Sequence, residues 1–167
     1  TISSAGGTNA LIHGRRTGFA NVTSDTDELI ADPAINAVAI VTRHSSHARF
    51  TVQALRAGKH VFVEKPLALK IAELDEVKEA CSDSGRHLMV GFNRRFAPQA
   101  CRIRELLVQR GGTVSLVLTV NAGKVPPDHW TQDPIQGGGR IVGEACHFVD
   151  VARSLIGAPI EGLSARC

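Results

Sequence analysis

Three short polar clusters each follow an apolar run in this chain. Thr42-Arg43-His44 follows residues 37–41, Glu64-Lys65-Pro66 follows 60–63, and Asn93-Arg94-Arg95 follows 88–91. Lys65 is the most pointed of these residues. The proline beside it fixes the backbone, and partial burial at a strand end lowers a lysine pKa toward that of a useful base. A polar rim with no chemistry would carry the same residue types. His147 is the second candidate. It stands three residues before Asp150, so both side chains can share one helix face. It follows the run Gly137-Gly138-Gly139, where a ligand or another backbone can approach closely. An imidazole in that place can move a proton near neutral pH. It can equally be a packed histidine satisfied by Asp150. His44 and His47 have the spacing of two metal ligands, but no third ligand accompanies them and no metal is expected. Trp130, beside Asp128 and His129, can wall a substrate pocket or pin its own loop.

These residues need a scaffold that gathers strand ends. The run 37–41 is apolar and rich in β-branched residues, which predicts a strand buried on both faces, as in a parallel sheet. Ser45-Ser46 can cap a helix over 47–57, closed by Gly58, with Phe50, Ala54, Leu55 and Ala57 on its apolar face. A strand over 60–63 follows, then an amphipathic helix over 71–83 with Leu74, Val77 and Cys81 on one face, then a buried strand over 88–91. Strands alternating with helices through short connections predict a parallel sheet with helical crossovers. Ligands of such sheets bind outside the carboxyl ends of the strands, so the three polar clusters are expected on one rim.

The flanking segments are weaker. Upstream, 1–4 read as the tail of a strand, Gly6-Gly7 as a turn, and 8–17 as a helix ended by Gly18. Asp25 with Glu28 reads as a capping box, and its helix should stop before Pro33. Downstream, 97–110 predict a helix ended by Gly111-Gly112, and the alternation over 114–120 predicts a strand of an open sheet. A long loop over 121–139 leads into an apolar helix over 141–155, and a last strand starts near Ile160. The expected class is α/β: an incomplete Rossmann-like parallel sheet followed by the start of an α+β open-sheet domain. A boundary near 93–98 divides the chain into 1–95 and 96–167.

Composition excludes several function classes. The chain has 167 residues, 43% hydrophobic and 21% charged, which suits one domain or one domain plus part of another and argues against wholesale disorder. The net charge of +3 comes with no basic block longer than Arg15-Arg16 or Arg94-Arg95, and tyrosine is absent. No nucleic-acid partner is expected. No long apolar run spans a membrane, and the chain opens on nothing like a signal peptide. Cys81, Cys101, Cys146 and Cys167 form no C-x-x-C pair and read as free thiols of a cytoplasmic protein.

Four stretches occur together in a recognisable order: Ala37-Val-Ala-Ile-Val-Thr42 with His47, Ala57 to Pro66 containing Glu64-Lys65-Pro66, Gly91-Phe-Asn-Arg-Arg-Phe96, and Gly137-Gly-Gly with His147. The chain resembles the Gfo/Idh/MocA family of NAD(P)-dependent sugar and inositol oxidoreductases. Asn121-Ala-Gly, Asp128-His-Trp130 and Gly143-Glu-Ala-Cys-His147 look closest to the Gfo/Idh-type module of two-module bacterial oxidoreductases. The resemblance implies NAD or NADP as cofactor and a small sugar or polyol as substrate. It implies Lys65 beside nicotinamide and substrate, and His147 as acid or base on the reacting hydroxyl. Thr42, His47, Glu64 and Asn93 fall at positions near the cofactor, and Arg94, Trp130 and Glu144 near the substrate. Ser3 and Ser4 stand where an acidic residue would hold the adenosine ribose, and their hydroxyls tolerate a 2′-phosphate better. A homo-oligomer is expected.

Two departures matter. The family usually carries an aspartate four residues before the histidine, where this chain has Gly143 with Glu144 beside it, so either the proton relay differs or Glu144 partly substitutes. The G-x-G-x-x-G loop that cradles the cofactor's pyrophosphate is absent. The chain therefore reads as the central piece of a longer enzyme, with an open sheet edge and uncovered apolar surface that favour association. A catalytically inactive fold or binding module, and an NAD-assisted glycosidase on the same scaffold, are the competing readings.

Overall fold

The computed structural model describes residues 1–4 and 7–166, and only the backbone of residues 7–9. The Gly6-Gly7 turn and the thiol of Cys167 therefore lie outside the described residues. Two compact units are present: one comprises Thr1–Val41, Ala48–Val63 and Ile71–Met89, the other Thr42–His47, Glu64–Lys70 and the chain from Val90 onward.

The first unit is the α/β part. Its strand β1 (Ile2–Ser3) and helix α1 (Gly7–Arg16) lead to β2 (Val22–Thr23), which pairs parallel with β1 in register Ile2 to Val22. Gly14 packs α1 tightly here, for a Cβ on it would stand 2.7 Å from a Val22 methyl. The strand β2 is too short to show any period in the sequence and was not anticipated there. Helix α2 (Thr26–Ala31) starts as expected at Asp25, whose Oδ1 accepts from the N–H groups of Asp27 and Glu28. The reciprocal half of the capping box differs. The Asp25 N–H donates to the Thr23 hydroxyl, and that hydroxyl donates to the Glu28 carboxylate, so Thr23 bridges the box.

A second sheet has the order β3 (Ala37–Ile40), β4 (His60–Val63), β5 (Leu88–Val90), with β3 and β4 parallel. The expectation that β3 is buried on both faces needs correction: of its four residues only Ile40 is buried, while Ala37 and Ala39 are exposed, because β3 is an edge strand with β4 on one side alone. Met89 in β5 is likewise exposed at 51%. The central strand β4 does what was expected, with Val61 and Val63 inside.

Helix α3 (His47–Arg56) buries Ala48, Thr51, Val52, Ala54 and Leu55, and leaves Ala57 exposed and Phe50 half-buried under the Arg49 guanidinium. The buried face is thus rotated from the expected one. Gly58 (φ 73°) closes this helix, and Lys59 then turns inward to donate from Nζ to the Asp32 carbonyl at 2.6 Å. Helix α4 (Ile71–Ser84) buries Val77 and Ala80 rather than the whole Leu74–Cys81 stripe.

In the second unit, α5 (Pro98–Arg110) opens with proline at its first turn and ends at Gly111, as anticipated. It packs against α6 (Cys146–Ile156), yet none of its residues is fully buried. The expected strands at 114–120 and near Ile160 do not form: both segments lack a ladder partner among the described residues, and Val117 is 85% exposed. Alternation alone makes no strand without a neighbouring edge. The expected helix over 141–155 is two pieces, a π-helical stretch (Ile141–Ala145) followed by α6. No helix among the described residues is long and apolar enough to cross a membrane.

Candidate functional site

The site is built inside the second unit from the segments Thr42–His47 and Glu64–Lys70, the chain after Val90 and the start of α6. His47 stitches two of those segments together. Its Nδ1 lies 2.8 Å from the Pro66 carbonyl oxygen and its Nε2 2.9 Å from that of Thr42, and the residue is buried. His44, three residues earlier, is also buried, with Nδ1 2.8 Å from the Gly137 carbonyl oxygen. A carbonyl cannot donate, so Nδ1 carries the proton. The Trp130 ring meets His44 edge-on at 4.8 Å, with the Arg43 guanidinium 5.8 Å above the indole. Trp130 thus pins its loop to the His44 turn. The H-x-x-H spacing serves carbonyl capture here, and no three metal-ligating side chains come together among the described residues.

Lys65 is half-buried, and its Nζ donates to the Gly143 carbonyl at 2.9 Å. The Lys65–Pro66 peptide bond is cis. Gly143 lies in the π-helical stretch, a backbone irregularity frequent at functional positions. His147, in the first turn of α6, is 6% exposed, and its Nδ1 is buried with no hydrogen-bond partner. Burial holds the His147 ring below the ordinary histidine pKa, and the positive charges of Lys65 and Arg94 push the same way, against Glu64 and Asp150. The ring is therefore neutral at pH 7. Burial likewise lowers His44, with the Gly137 carbonyl opposing it.

The reading of His147 as a packed residue satisfied by Asp150 is corrected. Asp150 instead takes both arms of the Arg95 guanidinium, Nε to Oδ2 at 2.8 Å and Nη2 to Oδ1. Bidentate geometry makes this a strong pair, and the His147 Nδ1 makes no hydrogen bond to it. Phe92 meets His147 edge-on at 6.0 Å, and Arg94 lies 4.6 Å over Phe148.

The remaining predicted residues are placed as follows. The Thr42 hydroxyl is 2.6 Å from that of Ser46 at the exposed end of β3. Asn93 and Arg94 are exposed on a 3₁₀ turn (Asn93–Phe96). Glu64 contributes its charge at His147. Glu144 points elsewhere: its carboxylate pairs with Arg140 at 3.2 Å, beside an open cavity of about 550 Å³ lined by Val120, Asn121, Ile141 and Phe148 among others. Ser3 and Ser4 belong to the first unit. The Ser3 hydroxyl is 2.9 Å from that of Thr26, and Ser4 is exposed. Sequence reading missed the Arg95–Asp150 fork and the capture of His44 by Gly137; a 55-residue and a 93-residue separation left no local signal for either.

A neutral buried imidazole with an unpartnered nitrogen, beside a lysine ammonium, can accept or hand over a proton to a third group. The profile of the oxidoreductase family with an NAD-binding Rossmann fold, Gfo/Idh/MocA, matches residues 2–92, more than half of the chain. The chain belongs to this family. Among Gfo/Idh/MocA relatives it is 33% identical over 154 residues to levoglucosan dehydrogenase of Pseudarthrobacter phenanthrenivorans, covering 86% of this chain and 38% of that protein. It is 33% identical over 159 residues to the NAD⁺-dependent scyllo-inositol 2-dehydrogenase of Bacillus subtilis, covering 90% and 44%. The solved levoglucosan dehydrogenase complex with NADH and levoglucosan superposes with a TM-score of 0.80 at 32% identity, covering 93% of this chain and 44% of that one. The chain thus spans less than half the length of these relatives. The Lys65 ammonium and the neutral His147 ring have the chemistry to suit the nicotinamide end of an NAD-type cofactor; the sequence offers no glycine loop for its pyrophosphate.

Proposed function

We propose that this chain carries the proton-handling core of an NAD(P)-dependent dehydrogenase of sugar- or polyol-like alcohols, in which Lys65 and His147 act on the reacting hydroxyl. Residues 1–95 supply a partial dinucleotide-binding domain, and 96–167 begin the substrate and oligomerisation domain of a cytoplasmic homo-oligomer. The observation that carries this reading is the pairing of a docked lysine ammonium with a neutral, buried, incompletely bonded imidazole.

A nicotinamide cofactor bound beside Lys65 and His147 would supply the hydride acceptor for the carbinol carbon. Lys65, held at Gly143, donates a hydrogen bond to the substrate oxygen and stabilises negative charge as the hydroxyl proton leaves. Neutral His147 takes that proton, which yields a carbonyl, and returns it in the reverse reduction. Thr42, His47, Glu64 and Asn93 line the cofactor side of this rim, with Arg94 and Trp130 toward the substrate. By the family resemblance, Ser3 and Ser4 stand at the positions that would meet the adenosine ribose, where their hydroxyls would tolerate a 2′-phosphate.

The test is titration of the purified chain with NADH and NADPH by fluorescence or calorimetry, then a polyol screen with Lys65→Ala as control. The reading requires saturable binding and substrate-dependent reduction of NAD(P)⁺. Loss of Lys65 should lower turnover by about 10²–10⁴-fold with the fold intact. Absence of binding up to about millimolar cofactor, which corresponds to roughly −4 kcal/mol, sinks it for this chain. Cofactor binding followed by glycoside cleavage without net reduction points to the glycosidase alternative.

A further inference from the structure

The sequence puts a glycine at 143, between Arg140 and His147, in a stretch where helix formers would serve stability better. Its space is already taken. A Cβ at Gly143 would stand 3.0 Å from His44 Cε1 and 3.3 Å from His44 Nδ1. We propose that His44 is a positioning residue of this site: its imidazole, pinned to the Gly137 carbonyl, fills the room of a side chain at position 143 and so holds the carbonyl on which Lys65 rests. The inference deepens the reading of Lys65 given under Proposed function.

Each link in this chain of contacts is rigid for its own reason. Gly137 cannot shift toward its loop, because even a Cβ there would lie 2.4 Å from Thr131 Cα and 2.5 Å from the Thr131 carbonyl oxygen. Its N–H donates to the Asp133 carbonyl at 2.9 Å. Its own carbonyl is then aimed at His44 Nδ1, 2.8 Å away. The His44 ring cannot swing away, since Trp130 stands edge-on against it and the residue is buried. Gly143 therefore backs onto a fixed wall, and its carbonyl faces Lys65 Nζ at 2.9 Å. A lysine stem has four rotatable bonds, and this acceptor is what selects one of their arrangements. His44 touches neither of the reacting groups proposed above; it acts through Gly143.

The test compares four full-length variants by the ¹⁵Nζ ammonium signal of Lys65, assigned with Lys65→Arg, and by kcat and KM. A methyl at 143 against the intact ring should displace the carbonyl. Gly143→Ala is therefore expected to lose the hydrogen-bonded Lys65 signal and to drop kcat by about tenfold to a hundredfold, with KM little changed. Adding His44→Ala should restore both, because the methyl then fills part of the vacated space. Adding His44→Phe should not, because a ring of the same size remains. An unchanged Lys65 signal in Gly143→Ala, or failure of His44→Ala to restore it, overturns the proposal. Should Gly143→Ala not fold, His44→Ala alone decides: the Lys65 signal broadens if the ring is the wall and stays sharp if it is not. Absence of turnover in every protein, wild type included, would defeat the dehydrogenase reading, while the Lys65 signal would still judge His44.

Discussion

Around Leu55 the buried side chains are mainly aliphatic, with Thr51 and Lys59 among them. Ile40, Val52, Val61, Val63 and Val77 are each at most 6% exposed, and Leu55 is fully enclosed. Around His147 the buried groups include the imidazoles of His44, His47 and His147 itself together with Gly137 and Gly143, and hydrogen bonds to backbone carbonyls fix the His44 and His47 rings. The first kind of interior is held by area removed from water, roughly 1.5–3 kcal/mol for each large side chain, and is indifferent to direction. The second kind yields little net free energy per bond, about 0.5–1.5 kcal/mol, but sets directions to within the narrow angles of a hydrogen bond. One region keeps the chain folded. The other keeps a lysine and a histidine aimed.

That contrast is broken most directly at Leu55. Leu55→Ala is expected to cost about 2–5 kcal/mol, read as a fall in the urea midpoint, because α3 and the buried sheet face leave little freedom to collapse into the void. His44→Ala should cost clearly less stability. Equal midpoints for the two variants would mean that both regions are held in the same way. Asp150→Asn comes next, at about 1–3 kcal/mol, since it leaves the half-buried Arg95 guanidinium without its fork. If Asp150 were hydrogen-bonded to His147 instead, the same substitution would leave Arg95 untouched; the ¹⁵N shifts of the Arg95 guanidinium separate these outcomes. Smaller again is Asp25→Ala, which removes the acceptor for two amide protons at the start of α2 and should lower stability by about 1 kcal/mol.

The same contrast explains which parts of the molecule were legible in the sequence. Elements with a local signal came out close to the expected bounds: the Asp25 cap, β4, and the helices closed by Gly58 and Gly111, each of which adopts a positive φ that suits glycine. Lys65 and His147 stood out as candidates because proline and glycine neighbours mark the backbone near them, and the structure places both in the second unit. What failed was whatever depends on distant partners. The alternation over 114–120 gave no strand because no edge lies beside it, and Ala37 and Ala39 are exposed because burial of a strand is decided by its neighbours. The π-helical stretch was unreadable too, since the 3.6-residue period of its apolar positions is that of an ordinary helix.

A pH titration sharpens the comparison at its most delicate point. His147 and His44 both have pKa values held below 6.5 by burial. As pH falls, the unfolded chain takes up these two protons before the folded chain does. The stability linked to the neutral rings is therefore complete above about pH 6.5 and drains away as pH falls through the lowered folded values. His147 is faced by Lys65 and Arg94 on one side of the balance and by Glu64 and Asp150 on the other; His44 is faced by His47, Lys65 and the Gly137 carbonyl. The urea midpoint should accordingly fall between pH 7.5 and roughly pH 5. Part of that slope should disappear in His147→Phe, which keeps the edge-on contact with Phe92 but cannot be protonated. Leu55→Ala should shift the whole curve downward and leave its acid slope unchanged, because the leucine side chain carries no group that titrates. An acid slope that survives intact in His147→Phe would place the titrating group elsewhere and remove the argument that this ring is kept neutral for proton transfer.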